Sequence, residues 1–237
     1  ELRAIAKYGV GTDNIDLTFC EQNNIAVSTT AGANANAVAD YTFALTMAVA
    51  RRLVFINELC HQKNWTKIMG NDIYGKRLGI LGLGTIGKGV ARRASGFEME
   101  TYAYDVFQDT EYAKSNRIKF ASLDKIFEEC DFISLHLPLT DETRHIIKHT
   151  TLAKMKPSAI LINTARGGLV DESALIDALK NKRIFGAGID VFDQEPPANE
   201  ELYQLDNLIM GSHCAASTAG ASEMMSRMAA ENLLKSL

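Results

Sequence analysis

Three polar residues follow short apolar runs: Arg166 in INTARGGLVDE, Glu195 in GAGIDVFDQEPP and His213 in IMGSHCAAST. They offer a cation, a carboxylate and an imidazole. A guanidinium can grip a carboxylate through a bidentate fork. An imidazole can take or give a proton near neutral pH, and a carboxylate beside it favours the charged ring. The set suits hydride exchange with a 2-hydroxy acid. One group holds the substrate carboxylate, one moves the hydroxyl proton, and one keeps the ring able to donate. Each residue also has a plainer reading. His213 can be a satisfied core histidine, Arg166 a structural ion pair, and Glu195, before Pro196 and Pro197, a surface turn residue. The Gly167-Gly168 pair after Arg166 suggests a backbone kept bare for a ligand. No metal is expected, because His213 lacks Cys, His or acid partners at ligand spacing.

A second constellation is Gly82-Leu83-Gly84-Thr85-Ile86-Gly87, which fits G-x-G-x-x-G. The pattern alone is weak. Here it follows the apolar run Leu78 to Leu81 and opens a helical segment, and Asp105 ends the next apolar run eighteen residues past Gly87. That context is what a dinucleotide site needs. Gly82 permits the turn, Gly84 lets a pyrophosphate approach the backbone, and Gly87 lets helix and strand pack closely. The helix start then offers unpaired N–H groups to the phosphates. Asp105 can accept from both ribose hydroxyls and would repel a 2′-phosphate. The following VFQDTE supplies no arginine for one, so NAD is expected over NADP.

These residues need elements to place them. LRAIAK, IAVSTT, METYAYD, DFISLHL, SAILINTA, GAGIDVF and NLIMGS read as strands. The run from Asn36 to about Gln62 has no Gly or Pro and reads as one long, mostly buried helix. SLDKIFEEC reads as a helix capped by Ser122, DESALIDALKNK as another, and STAGASEMMSRMAAENLLKSL as a terminal helix. Strands alternating with helices imply an α/β fold, a Rossmann-type doubly wound parallel sheet. Arg166, Glu195 and His213 then fall beyond the carboxyl ends of strands, where such sheets bind ligands.

Composition narrows the class. The chain has 237 residues, 46% hydrophobic and 23% charged, enough to bury one large or two modest cores. Its net charge of −4 argues against nucleic acid as a partner. Cys20, Cys60, Cys130 and Cys214 form no C-x-x-C pair, so reduced thiols and a cytoplasmic location are expected. No apolar stretch is long enough to span a membrane and no signal peptide is visible. Trp65 and the methionines of SEMMSRM read as core or interface packing.

From Leu2 onward the chain resembles the D-isomer-specific 2-hydroxyacid dehydrogenases, and within them looks most like the D-3-phosphoglycerate dehydrogenases. The matching stretches are KYGVGTDNID, GILGLGTIG, LHLPLT, NTARGGLVDE, GAGIDVFDQEPP and SHCAAST. The resemblance implies that Arg166 binds the substrate carboxylate, that Glu195 pairs with His213, and that His213 is the acid/base. It implies that Asp190 touches the nicotinamide carboxamide, and that His136, Leu137, Thr164 and Val10 line the cofactor with the glycine loop. For His136 a purely structural role weighs equally. Tyr8, Gly9, Val10, Gly11 and Asn34 are implied as substrate contacts beside Arg166. Two positions depart from the pattern: Ser212 stands where Pro is usual and Cys214 where an aliphatic residue is commoner.

The family pattern divides the chain into residues 1–33 as the remnant of a flavodoxin-like substrate domain, 34–214 as the NAD-binding domain, and 215–237 as a helix returning to the substrate domain. The chain opens without Met on a strand, so a missing N-terminal part is expected, with cofactor binding intact and turnover poor. The implied substrate leans toward 3-phosphoglycerate, with hydroxypyruvate, glyoxylate or another 2-keto acid as alternative. A homodimer is the implied assembly. An NADH-sensing, corepressor-like binding protein is a further reading.

Overall fold

The computed structural model describes residues 2–236. It divides into two compact units, Glu1–Val38 with Ala216–Leu237, and Ala39–Ala215.

In the first unit β1 (Ala4–Lys7) and β2 (Ala26–Thr29) pair in parallel, Ala4 opposite Ala26 through Lys7 opposite Thr29. Between them lies α1 (Leu17–Gln22), capped by Asp16, whose carboxylate accepts the Phe19 N–H at 2.8 Å. The terminal helix, Ala219–Ser236, packs on both strands, and Asn232 donates to the Thr29 carbonyl at 3.0 Å.

The second unit continues α2 (Ala35–Ala50) and adds α3 (Leu53–His61), β3 (Arg77–Leu81), α4 (Thr85–Gly96), β4 (Glu100–Tyr104), α5 (Thr110–Ser115), β5 (Lys119–Phe120), α6 (Leu123–Glu129), β6 (Phe132–Leu135), α7 (His149–Leu152), β7 (Ile160–Asn163), α8 (Glu172–Lys180), β8 (Gly186–Ile189) and β9 (Leu208–Met210). The strands form one parallel sheet in the order β5-β4-β3-β6-β7-β8-β9. This is the Rossmann-type order with one added edge strand, and the order reverses between β3 and β6.

Strands β6, β7 and β8 are buried along their whole length, as a sheet covered on both faces requires. Side chains alternate between faces. Leu161 joins the cluster of Phe127, Ile147, Leu152 and Leu175, while Ile160 and Ile162 join that of Phe43, Val49, Val90 and Ala94.

Register sets the level of the site. Leu81 pairs with Tyr104 and Leu135, Leu135 with Asn163, Asn163 with Ile189, and Ile189 with Met210. The next residue of each strand is Gly82, Asp105, His136, Thr164, Asp190 and Gly211. They form one row along the carboxyl edge of the sheet.

The helix expected over residues 36–62 is two helices. Arg52 takes a left-handed backbone, φ 54°, and the Ala50 carbonyl accepts from Asn71 N–H at 2.7 Å. That bond takes the acceptor the helix would need to continue. Arg52 then reaches Asp206 at 3.0 Å, and α3 buries none of its residues, against the expectation of a buried helix. The short elements α5, β5 and α7 were not anticipated. Ser122 does cap α6, accepting from Lys125 N–H at 3.3 Å.

Among the described residues no helix is long and apolar enough to cross a membrane. Nor does any group of three His, Cys, Asp or Glu among them suit a metal ion.

Candidate active site

The glycine loop joins β3 to α4. Gly82 has φ 101°, and a Cβ there would lie 2.6 Å from the His136 carbonyl. A Cβ on Gly87 would lie 2.1 Å from the Gly82 carbonyl oxygen. Both positions therefore exclude a side chain. Around Gly84 the opposite holds: it caps α4 without a side-chain bond, and nothing stands within 4 Å of where its Cβ would be. Thr85 and Ile86 form the first turn behind it. Open space in front of a helix N-terminus suits a diphosphate. Asp105 closes the other side. One carboxylate oxygen accepts the Leu83 N–H at 2.7 Å and the other the Phe107 N–H at 3.0 Å. Each oxygen keeps a lone pair for a further donor. The nearby Lys88 is paired with Asp109 at 2.5 Å, which neutralises a cation next to this loop. The loop thus fits an NAD adenosine diphosphate.

His136 and Leu137 follow β6. Nε2 of His136 lies 2.8 Å from Ser134 Oγ, while Nδ1 is buried without a hydrogen-bond partner. Burial pushes this imidazole down to about 3, so it is neutral at working pH. Leu137 is buried against the loop. Thr164, after β7, is buried with its hydroxyl 3.0 Å from that of Thr42.

Glu195 and His213 meet. The histidine Nδ1 lies 2.9 and 3.1 Å from the two carboxylate oxygens. Oε1 also accepts the Phe192 N–H at 3.1 Å, which fixes the carboxylate. The contact engages Nδ1 of His213 and not Nε2, and the side chain is 55% exposed. A pair so exposed adds little to stability, and its effect is orientation. The ring stands at a cavity of about 650 Å³ lined also by Tyr41, Phe192, Pro196 and Cys214.

Asp190 is 1% exposed. Its carboxylate accepts the N–H groups of Cys214 at 3.1 Å and Ala215 at 2.8 Å, and its carbonyl accepts that of His213 at 2.8 Å. It is an anchor for the His213 loop.

Arg166 sits on the loop after β7 and donates from Nη1 to the Ala165 carbonyl at 2.7 Å. The sequence pattern alone missed the residue that shapes this loop. Asn163, fully buried, accepts from Ala165 N–H at 3.0 Å and donates to the Arg166 carbonyl at 2.8 Å. A lone Asn closing the apolar run AILIN was the available signal. The glycines after Arg166 answer to packing, against the expectation of a backbone open to a ligand. They are not bare for a ligand: a Cβ on Gly167 would lie 2.0 Å from the Phe192 carbonyl carbon, and one on Gly168 2.9 Å from Leu139. Packing dictates them.

Tyr8, Gly9, Val10 and Gly11 follow β1 in the first unit. Thr30, buried after β2, accepts the Gly9 N–H at 2.9 Å and donates to its carbonyl at 3.1 Å. Tyr8 and Val10 are left exposed. Asn34 also belongs to the first unit, with its side-chain oxygen buried and unpartnered.

Residues 43–215 match the model for the D-isomer specific 2-hydroxyacid dehydrogenase NAD binding domain. The chain is 43% identical over 241 residues to a glyoxylate reductase of Korarchaeum cryptofilum, covering 99% of this chain and 73% of that protein. It is 40% identical over 242 residues to a hydroxypyruvate reductase of Thermotoga maritima, covering 100% of this chain and 78% of the relative. Among solved structures it superimposes on the TT0316 protein of Thermus thermophilus with a TM-score of 0.93 at 39% identity, covering 99% of this chain and 76% of that one. The matched model is that of an NAD-binding domain, and the glycine loop and Asp105 lie within its residues. With the seven-stranded parallel sheet, these matches place the chain in the family of NAD-dependent D-isomer-specific 2-hydroxyacid dehydrogenases.

Proposed function

We propose that the chain interconverts a small 2-keto acid, glyoxylate or hydroxypyruvate, with its 2-hydroxy acid. The observation that carries the reading is the Glu195–His213 contact at 2.9 Å on the rim of an open cavity. The names of the relatives from Korarchaeum and Thermotoga favour these substrates over the phosphoglycerate suggested by the sequence motifs.

NAD, when bound, carries the hydride. The Gly82–Gly87 loop and the α4 N-terminus hold its diphosphate, and Asp105 accepts from its ribose hydroxyls. His136, Leu137, Thr164 and Val10 are assigned to the cofactor as well, and Asp190 to both the carboxamide and the His213 loop. Arg166 grips the substrate carboxylate, with Tyr8, Gly9, Val10, Gly11 and Asn34 as further substrate contacts. In reduction His213 gives the proton on Nε2 to the substrate carbonyl oxygen. Glu195 holds Nδ1–H and stabilises the ring while it is charged. The unit Ala39–Ala215 serves as the cofactor domain, and the other unit contributes to substrate binding.

The proposed homodimer is supported by apolar side chains left in water on and after α3: Leu53, Val54, Trp65 and Met69. Sedimentation of the full-length protein tests it, a monomer at all concentrations being the contrary result.

The substrate is tested by NADH oxidation with glyoxylate, hydroxypyruvate, pyruvate and 3-phosphohydroxypyruvate. The highest kcat/KM is expected for glyoxylate or hydroxypyruvate. A clear preference for the phosphorylated acid would restore the phosphoglycerate reading.

A further inference from the structure

We infer that Tyr41 is a positioning residue for this reaction, holding the loop that aims His213 through Cys214 and Asp190. The inference rests on His213 being the acid/base. Three successive amides of the loop, from His213, Cys214 and Ala215, end on Asp190. His213 itself has φ 56°. A residue with a side chain keeps that left-handed backbone only where its surroundings hold it. The holding group is Asp190, through its carbonyl for His213 and its buried carboxylate for Cys214 and Ala215; a buried carboxylate is costly unless hydrogen bonds surround it.

Tyr41 completes those surroundings from a different element, α2. Its hydroxyl lies 3.2 Å from Cys214 Sγ, and the same thiol is 3.6 Å from Asp190 Oδ1. A Cβ on Gly211 would stand 2.0 Å from Asp190 Oδ1 and 2.7 Å from the Tyr41 hydroxyl. The carboxylate, the hydroxyl and the residue 211 backbone therefore close on one point. Burial first, then the hydrogen bond with Cys214 and the nearby charge of Asp190, raises the Tyr41 pKa above its ordinary value. The hydroxyl stays protonated and never becomes a second anion beside Asp190.

Helix α2 is a firm base, since Phe43, Leu45 and Val49 are buried. Of the groups at this point, only Tyr41 ties the loop to that helix; Asp190, Gly211 and Cys214 all follow strand ends. The link runs from the Cys214 thiol to the Tyr41 hydroxyl oxygen, at a position where an aliphatic side chain has no donor to make it. Removing the hydroxyl leaves the ring to fill the same space. The thiol then loses a partner and the loop a lateral restraint. The error falls on the direction of His213 Nε2, whereas Arg166 sits on a separate loop. The cost should therefore appear in kcat and not in substrate KM.

The test measures NADH oxidation with glyoxylate and with hydroxypyruvate by the full-length protein. The variants are Tyr41→Phe, Cys214→Ala and the pair combined, with His213→Asn alongside. Each single change should lower kcat on the order of tenfold at unchanged KM and unchanged melting temperature. The combined change should do no more than either alone, because both break one link. Wild-type kcat in Tyr41→Phe overturns the inference. So does a combined loss equal to the product of the single losses, a rise in KM matching the fall in kcat, or a fall explained by the folded fraction. His213→Asn separates the two levels. If it keeps wild-type kcat, the acid/base reading fails. If it loses activity while Tyr41→Phe does not, only the role of Tyr41 fails.

Discussion

Glu195 faces Nδ1 of His213 with both carboxylate oxygens, at 2.9 and 3.1 Å, and so fixes the ring from the side away from its free nitrogen. Glu195→Gln keeps the shape and removes the charge. The reductive kcat should fall about a hundredfold, the scale of lost acid–base assistance. Steady-state kinetics with glyoxylate checks it, and an unchanged kcat would mean that the contact is idle in the reaction.

Asp105 should set the choice between NADH and NADPH. Asp105→Asn can still accept the Leu83 N–H but carries no charge to repel a 2′-phosphate. The ratio of the two dissociation constants should narrow by about tenfold, since a like charge at this distance is worth on the order of 1 kcal/mol or more. Fluorescence titration of both cofactors reads the ratio, and a ratio that stays constant removes Asp105 from the discrimination.

Gly87→Ala puts a methyl group 2.1 Å from a backbone oxygen that has no rotamer to escape with. The helix and the loop must separate, at a cost of about 1–3 kcal/mol. Both the melting temperature and NADH affinity should drop. Gly84→Ala is the control, because its Cβ meets no protein atom: it should spare stability and weaken only the cofactor. Equal melting temperatures for the two variants would contradict the geometry.

Acidification should uncover His136. Burial holds its folded-state pKa near 3, below the value of about 6.5 in an unfolded chain. Between those limits the unfolded state binds a proton that the folded state does not. Stability therefore falls as the pH drops through this window, by at most about 1.4 kcal/mol per pH unit. His136→Gln cannot titrate. Its melting temperature should depend less on pH between 6.5 and 4 than that of the wild type, and parallel curves would refute the assignment.

Much of this was legible because the determinants are local. The glycines at 82 and 87 are spaced by backbone contacts that any strand–turn–helix of this kind must make. Apolar runs such as AILIN mark strands buried on both faces, and the row of site residues follows from where those runs stop. The break at Arg52 was not legible, since a non-glycine residue takes the left-handed turn and the cause, Asn71 on the Ala50 carbonyl, lies far along the chain. The polar stretch holding α5 and β5 has no apolar period to read. The glycines at 167 and 168 were misattributed because their neighbours, Phe192 and Leu139, are distant in sequence. Tyr41 escaped notice for the same reason, lying 173 residues from its sulfur partner. Substrate choice was the least legible, because the motifs carry the chemistry shared by the family.

Among the described residues the short strand β9 borders the sheet and pairs only with β8, Ala187 opposite Leu208 through Ile189 opposite Met210. Peripheral segments of this kind open locally at lower free energy than a sheet centre. Detachment of β9 should pull Gly211 and the start of the His213 loop away from their Asp190 anchor, while β3, β4 and the glycine loop should stay folded. Heating should therefore silence the enzyme before it loses its cofactor. Amide hydrogens from Leu208 to Ala215 should exchange earlier than those of β6 and β7, and the interval between the two events is a temperature range in which the protein still holds NAD but performs no chemistry.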